Sequence, residues 1–370
     1  MPPSWLSMFV WPKTAKTIHL TASVQSAANM NIDEAPIPHH TSQRLIGIEL
    51  EFDAGGTHLN VPDVTPEGWS KKRDGSCHNG WEYVLEPPLT LTEAGPVVAQ
   101  FCRTFVNTNL SRSGGFHVHV QSHDMDLSAV HHAVKIYAHF QGVINQLVGH
   151  SRTNNQWAKP YRQNVSESDI VSMFRLSEPA TNRASAKCSR QYSVVNCAMH
   201  RCQTASHRTL EYRQGSPSKR FPCVYGWSAF MVAITCMGHD KLRIPHGKTL
   251  DDLVTMLTDH EAATGATNIG AWVRWRHEYL NREPTQEMLD KALALLQSKS
   301  GLFRISRKLD VNMAVAKRII DKLTSQHLIR VVEGRTTERG SIFYQVIANF
   351  DNDLAMLEQA FMARLEPRPQ

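Results

Sequence analysis

The stretch Leu45-Ile46-Gly47-Ile48-Glu49-Leu50-Glu51-Phe52 alternates apolar and acidic side chains. A period of two is the signature of a strand, and it places Glu49 and Glu51 on one face. The two carboxylates then stand about 7 Å apart along the strand. Working outward, Trp81-Glu82-Tyr83-Val84-Leu85 reads as a second short strand closed by Pro87-Pro88. Phe116-His117-Val118-His119-Val120 is a third alternating strand, with both imidazoles on one face. Tyr192 to Asn196 and Thr209-Leu210-Glu211-Tyr212-Arg213 are further strands, the last setting a carboxylate beside a guanidinium.

Between these strands, helical spacing predicts helices over 91–110, 127–149, 221–237, 249–258 and 268–280. Residues 151–190 are polar and irregular and read as a loop region. Residues 1–43 read as an extension ending in the Pro/His stretch Pro36 to His40. The texture changes again at Asn281-Arg282-Glu283-Pro284. The expected division is therefore 1–43, 44–282 and 283–370.

The chain has 370 residues and a formal net charge of +6, with 41% hydrophobic and 20% charged residues. That is ordinary globular composition for about two domains. The basic balance suits a partner bearing phosphate, ATP or nucleic acid. Seven cysteines, an odd number with no CxxC, argue against a disulfide framework and for a reducing, cytoplasmic setting. Cys197, His200 and Cys202 match no standard zinc spacing. No run approaches the roughly 20 apolar residues of a membrane span, so no membrane partner is expected.

The chemistry sits where ligand-type residues share a strand face. Glu49-x-Glu51, His117-x-His119 and Glu211-x-Arg213 supply carboxylates, imidazoles and a guanidinium. Carboxylates with an imidazole suit Mg²⁺ or Mn²⁺, the ions that neutralise a nucleoside triphosphate. Each pair alone has a bland reading as a solvated strand face. The HxH pair also suits a zinc or iron metallohydrolase.

Taken in order, these segments resemble the amidoligase family, relatives of glutamine synthetase and glutamate–cysteine ligase. The resemblance covers roughly residues 44–260. It is carried by Ile46 to Phe52, Trp69 with Asp74-Gly75-Ser76, Gly80-Trp81-Glu82 with Pro87-Pro88-Leu89, and Gly115 to His119. It continues through Ser151-Arg152-x-x-Asn155 with Lys159-Pro160, Tyr192 to Asn196, and Thr209 to Gln214. The resemblance implies a glutamine-synthetase-like α+β domain, a curved antiparallel sheet with helices behind. It implies an ATP- and Mg²⁺-dependent ligase that joins a carboxylate to an amine through an acyl phosphate.

Carried over by position, Glu49, Glu51, Glu82, His117 and Glu211 would hold divalent ions. His119 would approach the ATP phosphates, and Arg213 would stabilise the phosphoryl group in transfer. Arg152 and Asn196 would touch substrate or phosphate. Either Glu82 or Glu86 could be the inward carboxylate and base for the amine. Lys71, Lys72 and Asp74 lie in a loop that either closes over nucleotide or is a solvated turn. After Gln214 the sequence Gly215-Ser216-Pro217 lacks the His that the family pattern carries. The substrates implied are an amino acid, a peptide or a cell-wall fragment.

Residues 285–347 resemble the winged helix-turn-helix superfamily. Helices over 288–296, 301–309 and 313–326 precede strands 328–332 and 341–347, and 350–363 suit a closing helix. Residues 304–339 hold nine Lys/Arg against four acids. Arg307, Lys308, Lys317, Arg318 and Lys322, with Arg335 and Arg339 in the wing, suit a DNA backbone. A protein partner is the alternative for this module. For the whole chain, the rival readings are a DNA-binding regulator with a ligand-sensing first domain, and a His/carboxylate metallohydrolase.

Overall fold

A computed structural model describes residues 35–346 except 53–63, 74–80, 107–113, 150–151, 154, 162–164, 187, 189–191, 204–207, 297–301, 310, 312, 327 and 332–343. The expected closing helix over 350–363 and the wing residues Arg335 and Arg339 lie outside these residues, as do Asp74 to Gly80. Two compact units divide after Glu278, at Met1–Glu278 and Tyr279–Gln370.

The first unit carries β1 (Leu45–Phe52), β2 (Trp69–Lys72), β3 (Trp81–Leu85), β4 (Leu89–Thr90), α1 (Leu91–Thr104) and β5 (Phe116–Gln121). Next come α2 (Leu127–His139), α3 (Gln141–Ile144), α4 (Glu167–Phe174), α5 (Arg183–Ala186), β6 (Val195–Asn196) and β7 (Thr209–Gly215). The helices α6 (Phe221–His239), α7 (Leu250–Thr264) and α8 (Ile269–Asn281) follow, the last crossing the division. The strands form one antiparallel sheet in the order β2-β3-β1-β5-β7-β6, with β4 also paired to β1.

Strand alternation sorts this sheet into two chemically different faces. Ile46, Ile48, Leu50 and Phe52 of β1, Phe116, Val118 and Val120 of β5, and Leu210 and Tyr212 of β7 are buried in one hydrophobic core. Helix α1 packs there through Phe101 and Phe105, whose rings lie 5.6 and 5.3 Å from that of Phe52. Burying each such ring contributes about 2–3 kcal/mol. Helix α6 is long and apolar enough to cross a bilayer, but 94% of its apolar window is buried inside the protein. It is the central helix of this core. Its approach to α2 needs Gly238, where a Cβ would meet that of Ala133 at 2.4 Å.

Helix starts follow local chemistry. Thr90 with Glu93, Ser166 with Asp169, and Thr249 with Asp252 form capping boxes at α1, α4 and α7. Helices α4 and α5 lie in the stretch expected to be irregular. The predicted helix over 127–149 ends instead at His139, and α3 restarts the turn. Of the predicted strand Tyr192 to Asn196, only Val195–Asn196 is strand.

Residues 35–43 are docked on the first unit. His39 exchanges two main-chain hydrogen bonds with Thr267, both 2.9 Å. His40 Nε2 lies 3.1 Å from His260 Nε2 of α7, both side chains buried.

The second unit contains α9 (Gln286–Leu296), α10 (Leu302–Lys308), α11 (Met313–Ser325) and the antiparallel hairpin β8 (Ile329–Val331) and β9 (Tyr344–Val346). Ala316, Ile319, Ile320 and Leu323 of α11 join Leu289, Ala292 and Leu296 of α9 in a separate small core. Lys308, Lys317 and Lys322 are exposed. Arg318 is engaged: its Nη2 donates to the carbonyls of Asn281 and Arg282, and its Nε lies 3.3 Å from Glu283. The side chain of Arg307 lies outside the described residues.

Candidate metal and phosphoryl-transfer site

The face of the sheet opposite the core gathers the charged residues. The register sets Glu49 of β1 against His117 of β5, and His119 against Glu211 of β7. On the other side of β1, Glu51 stands directly opposite Glu82 of β3, and Glu82 opposite Lys72 of β2. Asn196 of β6 pairs with Glu211. Residues separated by up to 162 positions, Glu49 and Glu211, thus meet because three neighbouring antiparallel strands each expose the same parity of side chain. Of the two candidates for the inward carboxylate, Glu82 is the one within the strand register. Glu86 lies beyond β3, where its amide donates to the Gly68 carbonyl at 2.9 Å.

One atom each of Glu49, His119 and Glu211 can be chosen so that all lie within 4.8 Å of one another, a spacing suited to one metal ion. His119 Nε2 is 3.2 Å from Glu49 and 4.0 Å from Glu211. His117 joins from the side, its Nδ1 3.1 Å from Glu49 and 3.8 Å from Glu211, and its Nε2 3.9 Å from Glu51. The resemblance gave the metal to His117 and the phosphates to His119; the tightest three-donor set instead contains His119.

The donors are held by further partners. His119 Nδ1 lies 3.4 Å from the Thr209 hydroxyl, which turns Nε2 toward the carboxylates. Asn196 Nδ2 donates to Glu211 at 2.8 Å, and Asn196 Oδ1 accepts from the Ala198 amide at 3.0 Å. Such supports fix ligand orientation and tautomer. Gly115 is required beside them. A Cβ there would stand 2.8 Å from both Glu51 Oε2 and His117 Nε2, so the missing side chain leaves room where these two groups converge.

The electrostatics keep the acids charged. Burial pushes the Glu49 carboxyl up, but the charge of His119 and hydrogen bonds from His117 and His119 hold it well below the usual range. Glu211 is likewise raised by burial but lowered further by Arg213, His119 and His117. Arg213 is hydrogen-bonded to Glu211, and its Nε donates to the Trp157 carbonyl at 3.0 Å. Burial works against the Arg213 charge, but Glu211, Glu49 and Glu51 raise its pKa overall.

Arg152 is only 1% exposed and donates from Nη2 to the Arg213 carbonyl. Burial, opposed by Glu51, brings its pKa down to about 10, so it stays cationic at neutral pH. Lys71 lies 3.9 Å over the Trp81 ring, a cation–π packing arrangement at the sheet edge.

Residues 71–234 match the family model described as "Putative amidoligase enzyme". This segment is similar to the amidoligase family. The matched segment runs from β2 into α6 and holds Glu82, His117, His119, Asn196, Glu211 and Arg213. Strand β1 precedes it, but β1 is hydrogen-bonded between β3 and β5, so pairing delivers Glu49 and Glu51 to the same face. No curated protein matches the chain.

Sequence reading missed the contribution of Trp157, whose carbonyl fixes Arg213, because a main-chain acceptor leaves no signature in residue type. In the Cys197, His200 and Cys202 group, the histidine is already engaged. The His200 Nδ1 is 3.0 Å from the Ser122 hydroxyl, and burial, with Arg208, lowers the His200 pKa to about 4.

Proposed function

We propose that this protein is an ATP-dependent, amide-forming ligase that releases ADP. The observation that supports this most is the convergence of Glu49, His119 and Glu211 on one sheet face, with Arg213 bound to Glu211, in an amidoligase-family domain. The donor set fits a hard divalent ion, Mg²⁺ or Mn²⁺, since charged carboxylate oxygens dominate it. Glu49, His119 and Glu211 would hold it, with Glu51 and His117 beside them. Such an ion supplies charge neutralisation for phosphate oxygens.

A carboxylate is a poor acyl donor because oxide is a poor leaving group. In the proposed reaction the substrate carboxylate oxygen attacks the γ-phosphorus of ATP, and the bond to ADP breaks. The amine nitrogen then attacks the acyl carbon, and phosphate leaves. Arg213 stands ready for the transferring phosphoryl group, because its guanidinium is already aimed by Glu211 and the Trp157 carbonyl. Glu82, across from Glu51, takes the proton that the amine must lose. Asn196 orients Glu211, and Arg152 adds a fixed positive charge behind Arg213.

For the second unit, we infer an accessory winged helix. Its support is the helix–helix–helix–hairpin order and the exposed Lys308, Lys317 and Lys322. Arg318, occupied by carbonyls and Glu283, is left out of any phosphate-binding set.

The test is ADP release with Mg²⁺ and ATP across paired pools of carboxylic acids and amines. An acid labelled with ¹⁸O in its carboxylate must pass one labelled oxygen to phosphate. ADP release without label transfer would contradict the acyl phosphate. Hydrolysis of a substrate pool with Zn²⁺ or Fe²⁺ and no nucleotide would support the metallohydrolase instead.

A further inference from the structure

Arg213 owes its position to a residue on the other face of the sheet. Gln214 follows Arg213 in β7, so alternation turns its side chain away from the carboxylates and toward α2 and α3. It is 1% exposed there. Its Oε1 accepts from the Tyr137 hydroxyl at 2.8 Å and from Gln141 Nε2 at 2.9 Å. Its Nε2 donates to Asn145 Oδ1 at 2.7 Å and to the Arg152 carbonyl at 3.3 Å. All four hydrogen-bonding positions of the amide are thus used. The Arg152 carbonyl can only accept, so the nitrogen must be the atom that faces it.

The bond to Arg152 closes a ring. Arg152 Nη2 donates to the Arg213 carbonyl, while Gln214 donates to the Arg152 carbonyl. The chain beyond Arg152 then runs to Trp157, whose carbonyl accepts from Arg213 Nε. It is strapped to the neighbouring strand by Lys159 N–H to Tyr192 at 2.7 Å and Val194 N–H to Lys159 at 2.9 Å. Val194 in turn accepts from the Arg213 amide at 2.9 Å. The guanidinium of Arg213 therefore points where the 152–159 segment allows, and that segment is anchored at Arg152.

We propose that Gln214 is the positioning residue of the site: its buried amide clamps the 152–159 segment to β7 and so aims Arg213. This rests on the ligase reading only for what Arg213 does once aimed. The metal donors Glu49 and His119 are held by other partners, and Glu211 keeps the Asn196 amide beside Arg213. The clamp therefore predicts a split in which phosphate-chain binding suffers and metal binding does not.

Gln214→Glu is the sharpest variant. A carboxylate still accepts from Tyr137 and Gln141, but it has no N–H for the Arg152 carbonyl. Tyr137→Phe is the gentler partner, loosening the clamp by one hydroxyl, and it serves if the buried glutamate prevents folding. Both are compared with wild type by hydrogen–deuterium exchange and by binding of Mn²⁺ alone and of Mg²⁺ with a non-hydrolysable ATP analogue.

The expected result is exchange in 152–159 faster by about tenfold in Gln214→Glu, and by a few-fold in Tyr137→Phe, with α6 unchanged. Affinity for the analogue should drop by about tenfold, with Mn²⁺ affinity within about twofold. Unchanged exchange in 152–159 would overturn the proposal, as would equal losses of Mn²⁺ and analogue. If wild type binds no analogue, the ligase reading fails, and the exchange and Mn²⁺ results alone still decide the clamp.

Discussion

Two buried histidine pairs in the first unit show opposite electrostatics. At His40 and His260, two imidazoles face each other 3.1 Å apart, and the Ser42 amide donates to His40 Nδ1 at 3.0 Å. That bond leaves the His40 proton on Nε2, which donates to His260. Burial lowers the His40 pKa to about 4, with His260, His39 and Arg44 adding to the effect. His260 is lowered too, by burial, against the pull of Asp240 and Glu261. Arg44 itself is paired with Asp124, and the neighbouring Cys236 thiol is pushed up by burial. The pair stays neutral and closed on itself.

At His117 and His119 the same residue type is buried among Glu49, Glu51 and Glu211, and the carboxylates of Glu49 and Glu211 are held in their charged form. Burial of a neutral pair makes a strut; burial of imidazoles with acids gathers donors at a spacing that could hold a metal ion. What lies within 4 Å decides between them, more than burial does.

The comparison can be broken at either end. The largest effect is expected at Arg213. Its replacement by Ala should reduce ADP formation by about 10³-fold while Mn²⁺ binding persists, measured by turnover and by titration. An equal loss of both would place Arg213 among the structural residues.

Next is the acid response of the strut. His40 titrates at 6.5 unfolded but at about 4 when folded, so the unfolded chain binds more protons between these values. Stability contributed by this pair is full above pH 6.5, falls as the pH drops, and levels off below about 4. The loss reaches about 3 kcal/mol, and thermal melts from pH 7 to 4.5 read it. His40→Gln should flatten that decline. His200, lowered to about 4 in the same way, should keep part of it.

A smaller effect, about tenfold in Mn²⁺ affinity, is expected from Asn196→Ala, which frees Glu211 to turn. The smallest is Thr90→Ala, which removes the capping box of α1 and should cost about 1 kcal/mol of stability without changing metal binding.

Much of the site could be read from the sequence because strand periodicity acts locally. Glu49, Glu51, His117, His119, Glu211 and Arg213 each occupy the odd positions of an alternating run. Once the strands are neighbours, these residues share a face. The starts of α1, α4 and α7 were also written locally, in Thr90-x-x-Glu93, Ser166-x-x-Asp169 and Thr249-x-x-Asp252, although the second was passed over within an apparently irregular stretch.

What could not be read depends on long-range contact. The docking of residues 35–43 needs His260 and Thr267, more than 200 positions away. The convergence of Glu49, His119 and Glu211 depends on side-chain direction across three strands. The Gln214 clamp uses two main-chain carbonyls, which no residue pattern reveals. The hydrogen bonds of Arg318 to carbonyls of its own unit are equally absent from the charge pattern.

The most direct test of the central claim is a thermal melt of the purified protein with Mg²⁺ and a non-hydrolysable ATP analogue, beside Glu49→Ala and Glu211→Ala. The account predicts that wild type is stabilised and that both variants lose the shift while still melting cooperatively. Stabilisation retained in both variants would contradict it, and so would a wild type that responds to Zn²⁺ or Fe²⁺ alone and ignores the nucleotide.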